Sequence, residues 1–93
     1  MLVAVLTVKI DLPWANSLKD KRGEVKSLIM RLSGKFRVAV AESDFLDFYR
    51  TAQITIAYLA ANKALGDSFA ETIISYIEGT TDANVVEVSK EYR

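Results

Sequence analysis

Cysteine and histidine are absent from this 93-residue chain, proline and tryptophan occur once each, and glycine only four times. Without cysteine there is no disulfide, thiol nucleophile or thiolate metal site. Without histidine, the commonest general base and metal ligand is missing. Much of catalytic chemistry is excluded, and neither metal nor cofactor is expected. Long apolar runs are lacking too. Leu2 to Val8 is apolar, but Lys9 and Asp11 interrupt it well short of a membrane span, and it has no basic start or cleavage pattern. A cytoplasmic protein without membrane association is the expectation.

What is present suits one domain, residues 1–93, with 51% of the residues hydrophobic and a single modest core. The zero net charge conceals an asymmetry. Residues 1–37 carry eight Lys or Arg against three Asp or Glu, whereas residues 38–93 carry four against nine. A basic face able to meet a polyanion follows from the first half, while overall neutrality argues against strong nonspecific nucleic-acid binding.

Hydrophobic periodicity sets the element order. Leu2 to Leu12 alternates, with Ala4, Leu6, Val8 and Ile10 on one side, and predicts a strand that Pro13 stops. Asn16 or Ser17 can cap a helix whose Leu18, Val25, Leu28, Ile29 and Leu32 recur at helical spacing, with Gly34 as its stop. Phe36 to Glu42 predicts a second strand with Val38 and Val40 inward, and Ser43 to Arg50 a loop. Thr51 to about Ala60 predicts a third strand with Ile54, Ile56 and Tyr58 inward. Asn62 can cap a second helix with Leu65, Phe69, Ile73, Tyr76 and Ile77 on its apolar face. Gly66 disfavours helix by about 1 kcal/mol relative to Ala, which moves the expected start to Asp67 or Ser68. Gly79 is the expected stop. Asn84 to Glu91 predicts a fourth strand through Val86 and Val88, with frayed last residues.

Strand, helix, strand, strand, helix, strand is the α+β, ferredoxin-like βαββαβ pattern: a four-stranded antiparallel sheet with both helices on one face. In this topology the loop after the first strand, the loop from Ser43 to Arg50 and the turn from Gly79 to Asn84 converge at one end. Trp14, Phe45, Phe48 and Tyr49 all fall in those loops, either capping the core or stacking on a base or partner.

The start of the first helix gathers cations. Lys19, Arg22 and Lys26 form a stripe beside the apolar face, while Lys21 falls close to the apolar stripe itself and must snorkel or find a partner. The helix dipole disfavours cations in a first turn, so another reason is needed. One is internal pairing of Lys21 or Arg22 with Glu42, Asp44 or Asp47. The other is that Lys19, Lys21, Arg22 and Lys26 bind phosphate or RNA. Lys19, Lys26, Arg31 and Lys35 also read as a basic ridge. The open face of the sheet has no aromatic stacking platform of the kind RNA-recognition motifs use. Its small and apolar residues, Val3, Val5, Ala39, Ala41, Thr55 and Ala57, instead predict a homodimer contact.

The run Ser17-Leu18-Lys19-Asp20-Lys21-Arg22 after Leu12-Pro13, with Val25, Lys26, Ser27 and Leu28 downstream, resembles the YlxP family of small bacterial proteins, a family of unknown function. Val38-Ala39-Val40-Ala41-Glu42 and Tyr76-Ile77-Glu78 extend the similarity over almost the whole chain. The resemblance implies a ferredoxin-like fold and, by gene neighbourhood, an association with translation initiation and ribosome-binding factors. It brings no catalytic residue. A Trp usual in the family's second loop is replaced here by Phe48-Tyr49.

The expectation is therefore a noncatalytic bacterial domain that binds RNA or a ribosomal component through its basic first helix and top loops. The alternative is a dimeric interaction or scaffold domain that uses the open sheet face, with the cations as internal salt bridges. An acylphosphatase-type enzyme is disfavoured. That activity needs a glycine-rich phosphate cradle in the first loop, where this chain has Pro13-Trp14-Ala15, and Asn16 alone is weak support.

Overall fold

A computed structural model describes all residues, 1–93. Its central strand is β1 (Leu2–Asp11), flanked by β3 (Thr51–Ala60) on one side and β4 (Asn84–Tyr92) on the other, with β2 (Ala39–Asp44) outermost beside β3. All pairings are antiparallel, in the order β2-β3-β1-β4. The two helices, α1 (Leu18–Lys35) and α2 (Lys63–Thr80), complete the ferredoxin-like βαββαβ arrangement.

Alternation along β1 and β3 builds the core floor. Ala4, Leu6, Val8 and Ile10 lie opposite Tyr58, Ile56, Ile54 and Ala52, and all eight are buried. Val25, Leu28 and Leu32 from α1 and Ala70, Ile73 and Ile77 from α2 close over them. Each fully buried Leu or Ile contributes about 1.5–3 kcal/mol of transfer free energy. No helix is long and apolar enough to cross a membrane.

Both helices begin at capped positions. Ser17 caps α1, its hydroxyl accepting from the Asp20 amide at 3.1 Å, while the Asp20 carboxylate accepts from the Asn16 amide at 3.0 Å. Asn62 caps α2 by accepting from the Leu65 amide at 2.9 Å. The second helix thus starts four residues earlier than the Gly66 penalty suggested. The reason is tertiary: Gly66 is buried, its carbonyl accepts from the Tyr58 hydroxyl at 2.7 Å, and a Cβ there would meet the Tyr92 hydroxyl at 2.5 Å. Close approach by Tyr92, not chain flexibility, selects glycine at this position.

Other boundaries shift for local reasons. Neither Gly34 nor Gly79 takes a positive φ, so both are absorbed into their helices, which end where Phe36 and Thr81 turn extended. Leu65 does not join the apolar face of α2; it is 58% exposed. A bulge between Lys9 and Ile10 pairs Lys9 with Glu87 but Ile10 with Val85. Val85 rather than Val86 therefore turns inward, while Val86 is exposed. The chain end is ordered rather than frayed. Arg93 and Val3 exchange two backbone hydrogen bonds of 2.8 Å, and the Tyr92 hydroxyl donates to the Asp67 carboxylate, which also pairs with Lys90.

Candidate functional site

The residues that join the two helix-side loops of the top end define the site. At 100° per residue Lys21 falls among Leu18, Val25 and Leu32, and the fold buries it completely. Its ammonium lies 3.0 Å from Glu42 Oε2 and donates to the carbonyls of Phe45 at 2.7 Å, Thr51 at 3.3 Å and Leu46 at 3.4 Å. Its donors are engaged by these three carbonyls, and Glu42 Oε2 receives no aligned hydrogen bond, so the carboxylate contributes charge rather than geometry. A buried ammonium is tolerated only when its charge is matched and its donors are satisfied, and both conditions hold here. Lys21 is a structural pin between α1 and the loop after β2, rather than a surface cation.

That pin shapes the second loop. Phe45 takes φ 59°, the left-handed region that a bulky residue rarely occupies, and its carbonyl thereby meets Lys21. The Asp44 carboxylate accepts from the Phe45 amide at 2.7 Å. The Phe45 ring meets Phe48 edge-on at 5.7 Å and lies under the Lys9 ammonium at 4.9 Å. Of the three candidate acids, only Glu42 is within ion-pair distance of a cation. Asp44 serves the turn, and Asp47 is exposed without an ionic partner.

Arg50 ties the two loops together. Its guanidinium donates to the Ala15 carbonyl at 3.1 Å and stacks over Tyr49 at 5.3 Å, while its own carbonyl accepts from the Leu12 amide at 2.8 Å. In the sequence Arg50 reads only as a loop end, because nothing in its neighbours marks a contact 35 positions away. Trp14, Phe48 and Tyr49 keep 42%, 60% and 40% of their surface exposed. Phe45 alone of the four loop aromatics is drawn inward.

The remaining helix cations divide. Arg31 turns toward α2, pairs with Glu24 at 2.9 Å and donates to the Thr80 carbonyl and hydroxyl, while Thr81 donates to the same Glu24 oxygen. Lys35 sits over the rings of Phe36 and Tyr76. The expected ridge of Lys19, Lys26, Arg31 and Lys35 is thus broken, because Arg31 and Lys35 lie on the opposite flank of α1 from Lys26. Lys19, Arg22 and Lys26 are exposed, and none belongs to any of the ion pairs Lys21–Glu42, Arg31–Glu24, Lys90–Asp67 and Arg93–Glu91.

On the open face of the sheet, Val3 pairs with Leu59, Val5 with Ala57 and Thr7 with Thr55 across β1 and β3. Ala39 and Ala41 continue the rows onto β2. The face is apolar at one end, where Leu59 is 67% exposed, and polar at the other, where Ser43 accepts from Gln53 and Thr55. Nowhere do three acidic side chains gather as metal ligands would.

The fold and site together define a ferredoxin-like α+β domain whose first helix is pinned to its second loop by a buried lysine. Residues 3–90 match the family model described as protein of unknown function, DUF503, and the chain belongs to that family. It is similar to the uncharacterized protein YlxP of Bacillus subtilis (strain 168), at 25% identity over 64 residues that cover 69% of this chain and 70% of that protein.

Proposed function

We propose that this is a noncatalytic binding domain acting in ribosome or RNA metabolism, with the exposed flank of α1 meeting an anionic partner. One observation carries the reading. Three cations, Lys19, Arg22 and Lys26, share a flank without a carboxylate partner, in a helix whose other cations are engaged internally or over aromatic rings. Uncompensated surface cations against the helix dipole destabilise α1 slightly, and contact with phosphate would offset that. The gene neighbourhood that the family resemblance implies agrees with it as association. Binding of ribosomal subunits or structured RNA, measured across a salt series, tests the proposal. Three phosphate contacts predict a log–log salt slope of about −2 to −3. Unchanged affinity and slope in Arg22→Gln/Lys26→Gln would count against it.

A second reading rests on a different surface. Leu59 and Val3 are exposed side by side on the open sheet face, flanked by Ala57, Val5, Ala39 and Ala41, which suits a second copy of the chain. The prediction is a dimer by sedimentation equilibrium that Val3→Glu dissociates. A wild-type monomer at tens of micromolar rejects it.

A further inference from the structure

The cationic flank of α1 does not end at its charges. Arg22, Val25, Lys26, Ile29, Met30 and Glu42 line a groove of about 500 Å³ between α1 and the outer edge of the sheet. The helical wall is basic toward the N-terminus and apolar toward Ile29 and Met30, and Met30 leaves 66% of its flexible thioether side chain exposed. On the sheet side the groove is lined by Glu42 of β2, the edge strand. Half of its backbone N–H and C=O groups, those turned away from β3, have no ladder partner.

This edge is less guarded than its counterpart. On β4 the bulge beside Val86 and the charges of Glu87, Lys90 and Glu91 discourage pairing. On β2, the stretch Ala39-Val40-Ala41 carries no charge or proline, and the irregularity at Ser43 comes only beyond Glu42. Glu42 is the groove's single acid, and the Lys21 ammonium beneath matches its charge. The groove is therefore effectively cationic through Arg22 and Lys26. Phosphate contact alone would use those two charges and leave Ile29, Met30 and the strand edge without a role.

We propose that the groove receives an extended acidic segment of a partner protein, added as a fifth strand alongside β2. Its groove-facing side chains are acidic where they meet Arg22 and Lys26 and apolar where they meet Ile29 and Met30. The inference rests on the reading that the free cations of α1 are the working surface, and it names the partner's class. Backbone pairing supplies the hold, and the helical wall supplies selectivity between acidic and basic segments.

The probe is a synthetic peptide, Glu-Thr-Glu-Thr-Leu-Thr-Leu, titrated into ¹⁵N-labelled protein. Expected are amide shift changes along Ala39–Glu42 and along α1 from Arg22 to Met30. Affinity is expected to fall about tenfold in Arg22→Gln/Lys26→Gln. Binding should vanish when the peptide is N-methylated on the amides that face β2, tested in both alternate sets, and when its Glu residues are replaced by Lys. No shifts at millimolar peptide, undiminished binding by both N-methylated sets, or undiminished binding by the Lys-containing peptide overturns the proposal. Oligouridine in a parallel titration separates it from the underlying reading. RNA that perturbs Lys19, Arg22 and Lys26 while the acidic peptide leaves β2 unmoved removes the groove and keeps the cationic surface. Indifference of both probes to the double substitution removes the surface as well.

Discussion

The ammonium of Lys21 sits 3.0 Å from the carboxylate of Glu42 with none of its own side chain exposed, which makes the central cation of the Ser17–Arg22 run an internal strut. The pair joins helix to edge strand, and the same ammonium holds the loop carbonyls of Phe45 and Leu46 and that of Thr51 at the start of β3. Lys21→Met is expected to destabilise the fold by about 3–5 kcal/mol, since it strands a carboxylate and several carbonyls at once. Glu42→Gln is expected to cost less, because the carbonyl bonds survive and Glu42 retains 18% exposure. Urea denaturation of both variants checks the order.

Phe45 holds a left-handed backbone that glycine would adopt without strain. Comparing Phe45→Gly with Phe45→Ala cancels the lost ring contacts. The glycine variant should be the more stable by about 1 kcal/mol, against the usual preference for alanine. Thermal unfolding of the pair decides, and a more stable alanine variant would mean the turn relaxes freely.

Gly66→Ala should destabilise, although helix propensity alone favours alanine by about 1 kcal/mol. The added Cβ meets the Tyr92 ring, whose hydroxyl is held by Asp67. In a Tyr92→Ala background the same change should become neutral or stabilising. A double-mutant cycle on denaturant midpoints is expected to give a coupling of about 1–3 kcal/mol.

The clamp at the chain end is sensitive to pH at both extremes. Hydrogen bonds from Lys90 and Tyr92 hold the Asp67 carboxyl below its ordinary value of 3.8. A depressed folded-state value means that the contribution is present above pH 3.8 and is lost as pH falls through the lowered value. Burial and the bond to Asp67 push the Tyr92 hydroxyl up to about 12, so its contribution is full below pH 10 and disappears as pH rises toward 12. Stability curves for wild type and Asp67→Asn should therefore converge in acid. Parallel curves from pH 7 to pH 2 would show that the clamp carries no proton linkage.

Much of this architecture was legible in the order of residues. Alternation in Leu2–Leu12 and Thr51–Ala60 and helical spacing in Leu18–Leu32 depend on side-chain period alone, and they led to the element order and the buried set of β1 and β3. The placement of Lys21 beside Val25 and Leu32 already demanded a partner. Boundaries set by contact were not legible: the early start of α2 depends on Tyr92 reaching Gly66 from the other end of the chain, and the inward turn of Val85 on a bulge in β4. Arg31 reads as part of a surface ridge because its partner Thr80 lies at the end of α2, 49 positions along the chain.

By itself, then, the sequence determined the α+β fold class, the faces of its strands and the exclusion of thiol and imidazole chemistry, since these follow from local period and composition. Only the tertiary structure decided which cations remain free. Ion pairing depends on distances between residues remote in the chain, and those distances turned Lys21 inward to Glu42 while leaving Arg22, one helical step of 100° away, in water.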